Sequence, residues 1–123
     1  VIAQGIALRK VIGSPAYPSS EDELRALVER NVDRSFYPQG AARQYNAILA
    51  SGGRVKELPQ VKAPTLVIHG AEDPVVPLPA GQDTAALVPG ARLEVIQGMG
   101  HDLPKALMPR IATLIGEHAR AAK

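Results

Sequence analysis

Leu66-Val67-Ile68-His69-Gly70-Ala71-Glu72-Asp73-Pro74-Val75-Val76-Pro77, followed by Gly98-Met99-Gly100-His101-Asp102, is the part of this chain that decides its fold. Thr65 to His69 is short, continuously apolar and partly β-branched, the composition of a strand buried on both faces of a parallel sheet. Arg92-Leu93-Glu94-Val95-Ile96 reads as the next strand. Each strand gives way to a loop that carries one ionisable side chain, Asp73 in the first and His101 in the second. A carboxylate and an imidazole on neighbouring strand-end loops can form an acid–base pair, in which the acid sets the imidazole tautomer.

Between the strands, residues 79 to 88 read as a helix stopped by Pro89-Gly90. Beyond them Leu107, Ile111, Leu114, Ile115 and His118 recur at helical spacing, with Pro109 expected in the first turn, where a missing N–H is harmless. Asp102 is expected to cap that segment, which should open at Asp102 or Leu103. Strand, helix, strand, helix is one right-handed crossover unit with a covering helix.

Upstream, Ser20-Glu21-Asp22-Glu23 has the form of a capping box, and Leu24, Leu27 and Val28 follow it at helical spacing. A helix is predicted over about 20–32. A second helix should present Ala42, Tyr45, Ile48 and Leu49, and end at Gly52-Gly53. The two look like a small lid. Gly13 to Ser19 reads as a loop, and residues 1 to about 12 suit a helix end or a strand equally well. We expect a helical cap segment over 1–58 and a core segment over 59–123.

Composition narrows the function classes. The 123 residues are 46% hydrophobic and 21% charged, ordinary for a globular domain, with an aliphatic core forced by one Phe, three Tyr and no Trp. The net charge of +2 comes from basic residues scattered singly among acids, so nucleic acid is not an expected partner. Zero Cys excludes disulfides, thiolate zinc sites and a cysteine nucleophile, and leads us to expect a cytoplasmic protein. No apolar stretch reaches the roughly 20 residues of a membrane span, and no membrane partner is expected. The opening Val1-Ile2-Ala3 lacks both Met and a signal-peptide pattern, which leads us to expect a segment upstream.

Taken alone, Asp73-Pro74 is a common turn device and His101 a common loop residue; their joint placement is what favours chemistry. Glu72 is the alternative acid. His69 reads as a strand-end residue that bonds locally, and His118 as packing or surface. A metal site from His69, Asp73 and His101 matches no common ligand spacing, so neither metal nor cofactor is expected. Of the five serines, Ser14, Ser19, Ser20, Ser35 and Ser51, none follows a strand and opens a helix as a nucleophile elbow does. Tyr17, Phe36, Tyr37 and Tyr45 are either acyl-pocket lining or plain packing.

Ala63-Pro64-Thr65-Leu66-Val67-Ile68-His69-Gly70 with Asp73, and Gly98-Met99-Gly100-His101-Asp102-Leu103-Pro104, resemble the acid and histidine loops of the α/β-hydrolase superfamily. Gly13-Ser14-Pro15 through Ser51-Gly52 is similar to the cap of bacterial esterases of the aclacinomycin methylesterase type. The resemblance implies the C-terminal part of an α/β-hydrolase fold, with its last two parallel strands and flanking helices behind a helical cap. It makes Asp73 the triad acid and His101 the general base in the family's Ser…Asp…His order. Gly-x-Ser-x-Gly is absent from this sequence, so the nucleophile has no counterpart here.

The expected function is therefore the C-terminal segment of a serine hydrolase acting on a small-molecule ester or acyl compound, inactive alone. Its two-stranded sheet would be incomplete, needing an N-terminal segment or a second copy of the chain. Two rival readings stand beside it: a non-catalytic truncated module that self-associates through its sheet edges, and one chain of a split hydrolase.

Overall fold

A computed structural model describes residues 1–122. Three helices come first: α1 (Ile2–Ile12), α2 (Glu21–Arg34) and α3 (Gln39–Ser51). Then follow β1 (Leu66–Gly70), α4 (Leu78–Leu87), β2 (Arg92–Ile96) and α5 (Met108–Ala121). Single 3-10 turns at Leu58–Gln60 and Lys105–Leu107 precede β1 and α5.

The first twelve residues settle as a helix because Ile2 and Ile6, one turn apart, find an apolar partner. Ile6 is buried with Leu24 and Val28 of α2, and Ile2 and Val32 extend the cluster. The capping box starts α2: Ser20 Oγ accepts from Glu23 N at 3.2 Å, and Glu23 Oε2 accepts from Ser20 N at 3.1 Å. The packed helical pair is thus α1 with α2, whereas the sequence suggested α2 with α3 as the lid. Helix α3 forms with its expected stripe, but Tyr45, Ile48 and Leu49 are all more than half exposed and the helix buries no residue.

β1 and β2 run parallel, in register from Leu66 opposite Arg92 to Gly70 opposite Ile96. Helix α4 lies on one face of the pair. Ile68 and Ile96 on the other face meet Met99, Leu107 and Ile111 of the last segment, forming the second apolar cluster, and Tyr17 packs against it. Glu94 on that face is paired with Arg110 of α5 at 2.9 Å. Helix α5 begins at Met108 rather than at Asp102. A continuous helix from Asp102 would need an N–H from Pro109 to the Lys105 carbonyl, and proline has none.

Among the described residues no strand pairs with the outer edge of β1. A folded monomer of 13.0 kDa exposes about 6,300 Å². This chain exposes 8604 Å². The apolar stripe of α3 contributes to the excess, with Tyr45, Ile48 and Leu49 each more than half exposed.

Candidate active site

The acid loop is shaped by Pro74. Proline has no N–H, so the first amides free to turn back on the Asp73 carboxylate are those of Val75 and Val76. Both donate to Asp73 Oδ1, at 2.8 Å each. Behind this turn His69 Nε2–H donates to the Val76 carbonyl at 2.8 Å, bracing the loop against β1. That is a local bond of the kind expected for His69.

With Oδ1 occupied, Asp73 Oδ2 faces His101, whose Nδ1 lies 2.7 Å away. The Asp73 side chain is 7% exposed and that of His101 41%. Burial raises the pKa of the Asp73 carboxyl, but the Val76 amide, the His101 ring and the Val75 amide together lower it further, so it sits below its ordinary value. An ionised Asp73 accepts from Nδ1–H and so holds the Nδ1-protonated tautomer, leaving the Nε2 lone pair available. A nitrogen in that state can take a proton from a hydroxyl.

His101 is delivered by a loop with little room. Gly98 has φ +74°, in the left-handed region that favours glycine. A Cβ on Gly100 would fall on the carbonyl oxygens of Gly13 and Ile12. Ile12 O accepts from His101 N at 2.8 Å, and Gly98 O accepts from Ala16 N at 3.1 Å. Ser14 is buried there, accepting from Gly100 N at 2.9 Å and donating to the Asp102 carboxylate. Asp102 therefore does not cap the following helix as expected; its carboxylate turns back to Ser14. The part played by Ser14 carried no sequence signal, since its partners lie 86 and 88 residues away.

The structure brings Asp73 and His101 together and leaves the alternative acid aside. Glu72 is exposed, and among the described residues it makes no hydrogen bond to His101. His118 contacts the Pro64 carbonyl at 3.2 Å, far from the loops. No group of three or more His, Asp or Glu side chains among the described residues is placed to hold a metal ion. No helix among them is long and apolar enough to cross a membrane.

His101 opens on a groove of about 730 Å³, lined by Leu24, Leu27, Leu103 and Met108 and by charged side chains of both signs, Arg9, Arg30 and Lys105 with Asp22 and Glu23. That is the size range of small-molecule sites. None of Tyr17, Phe36, Tyr37 and Tyr45 lines it. Tyr17 packs beneath the second cluster, and the other three are exposed.

No family model matches the chain. Over 69 residues it is 42% identical to rhodomycin D methylesterase of Streptomyces peucetius, a match covering 56% of this chain and 23% of that protein. Over 55 residues it is 40% identical to a non-heme chloroperoxidase of Kitasatospora aureofaciens, covering 44% of this chain and 19% of that protein. Among solved structures, a meta-cleavage product hydrolase from Pseudomonas fluorescens IP01 superposes with a TM-score of 0.74 at 22% identity. That superposition covers all of this chain and 47% of the other. The chain thus matches about a quarter of the curated relatives' length and about half of the solved one.

Proposed function

From a chain that carries the C-terminal part of the α/β-hydrolase fold, we propose that it supplies the acid and the base of a serine hydrolase acting on a small-molecule ester or related acyl compound. The observation that carries this reading is the Asp73–His101 pair, with one carboxylate oxygen held by two amides and the other on Nδ1 at 2.7 Å. In the reaction His101 Nε2 takes the proton of the serine as it attacks the carbonyl carbon, and returns it to the departing alkoxide. Water then repeats the sequence on the acyl-serine. Asp73 stays ionised throughout, keeping the ring oriented and stabilising the imidazolium.

The serine belongs to a segment outside this sequence that also completes the sheet. The exposed area supports a large missing partner surface. The excess of about 2,300 Å² on one side corresponds to about 4,600 Å² over both partners, within the roughly 2,000–5,000 Å² of obligate interfaces. The outer edge of β1 and the stripe of α3 are where we place that contact. An ester substrate is favoured by the similarity to a methylesterase, and the leucines and methionine among the groove's lining suit an acyl or aromatic body. We place the protein in the cytoplasm, consistent with its lack of cysteine.

The test is a fluorophosphonate probe with intact mass read on the same sample. The chain alone should acquire no adduct. Assembled with a nucleophile-bearing segment it should support labelling and ester turnover, falling by about 10⁴-fold or more in His101→Ala. An adduct on one of this chain's own serines, lost in His101→Ala, would put the nucleophile here and overturn the reading.

A further inference from the structure

Three consecutive residues of the histidine loop are held by one short segment at the C-terminal end of α1, Ile12 to Ser14. The Gly100 amide donates to Ser14 Oγ at 2.9 Å, and the His101 amide donates to the Ile12 carbonyl at 2.8 Å. The Asp102 carboxylate accepts the Ser14 hydroxyl proton. A serine hydroxyl has one proton and two lone pairs. With its proton committed to Asp102, Ser14 Oγ can only accept from Gly100, so one oxygen ties down the residues on both sides of His101. Ser14 is 3% exposed and its bond to Gly100 is buried, so water does not readily replace it there. Proline follows it directly, which disfavours the helical backbone at Ser14 and keeps α1 from running on through this point.

We propose that Ser14 is a positioning residue for His101, fixing the backbone on either side of the ring so that Nδ1 meets Asp73 Oδ2. The proposal rests on reading Asp73 and His101 as the acid–base pair, and it adds a third side chain to the site from the opposite end of the chain. Ser14 touches neither ring nor substrate groove; it acts through the loop. Without it the Gly100 amide and the Asp102 carboxylate lose their partner, and a flexible glycine is left to set the direction of His101. A shift of about 1 Å in a catalytic group is enough to cost about 10²-fold in rate. The same loss would release the ring from the Nδ1-protonated tautomer.

The measurement is the ring tautomer of His101, read from long-range proton–nitrogen correlation spectra of the ¹⁵N-labelled full chain. The parent should show the Nδ1-protonated form, and Asp73→Asn should lose it. Ser14→Ala should lose it too while the rest of the amide spectrum stays folded, and Asp102→Asn, which retains an acceptor oxygen for Ser14, should keep it. A folded Ser14→Ala with the parent's tautomer overturns the proposal while leaving the Asp73–His101 pair intact. If Ser14→Ala does not fold, Ser14→Cys decides, since a thiol fills the space of the hydroxyl but is a weak acceptor and donor: loss of the tautomer supports the proposal and its persistence overturns it. A parent without the Nδ1-protonated form, or an Asp73→Asn variant that keeps it, overturns instead the acid–base reading on which the proposal stands.

Discussion

Replacing Asp73 with Asn and with Ala separates two jobs that one carboxylate performs. Asn can keep its carbonyl oxygen under the Val75 and Val76 amides, both at 2.8 Å in the parent. A bond to a charged acceptor contributes about 1.5–3 kcal/mol and one to a neutral acceptor about 0.5–1.5. The exchange should therefore cost about 2–3 kcal/mol of stability over the two bonds. The side chain is 7% exposed, so solvent screening reduces this little. Ala removes both acceptors and should cost about 3–6 kcal/mol. At His101 the order reverses. The Asn amide group would donate toward Nδ1, forcing the proton onto Nε2 and blocking the base, whereas Ala leaves the ring free to choose. In serine-protease triads the same Asp-to-Asn exchange costs about 10⁴-fold in kcat, or about 5.4 kcal/mol at 1.36 kcal/mol per decade. Urea unfolding gives the first quantity and the turnover of the assembled enzyme the second. Equal destabilisation by both variants, or an Asn variant within tenfold of the parent's kcat, would refute the division of labour.

The folded pKa of Asp73 lies below the ordinary carboxylate value, so its contribution is complete above the unfolded pKa of about 3.9 and is lost as pH falls through the folded value. Acid titrations of unfolding free energy should fall more steeply below about pH 4 for the parent than for Asp73→Asn. Ile96 is fully buried, and Ile96→Ala should lower stability by about 2–5 kcal/mol in chemical denaturation. Ser20→Ala removes half of the capping box and should cost about 1 kcal/mol, with amide exchange accelerating first in the opening turn of α2. Gly98→Ala would hold alanine at φ +74° with its Cβ against Ala16, and should destabilise the chain by at least about 1 kcal/mol in the same denaturation assay.

What could be read in advance was local. The β-branched run before Gly70, the capping box at Ser20 and the proline in the first turn of α5 each act within a few residues, so their elements are visible in the chain. The approach of Asp73 to His101 was legible because two successive parallel strands carry their following loops to the same edge. Residues 1–12 were not decidable, since what makes them a helix is Leu24 and Val28 closing over Ile6 from the next element. Asp102 misled for a related reason: the capping preference of aspartate is a local tendency, and a buried hydroxyl 88 residues away outcompetes it. For α3 the periodicity described a face suited to burial. It carried no information on whether anything in this chain would bury it.

The surplus of exposed area has a thermodynamic corollary. On the proposed reading, in which a nucleophile-bearing segment covers this excess of about 2,300 Å², part of the stability of the folded chain is held by that segment. A partner present at a hundred times its dissociation constant adds about 2.7 kcal/mol, a sizeable share of the 5–15 kcal/mol or so that holds a typical domain together. On that reading the melting temperature of the chain rises with the concentration of the segment that completes it.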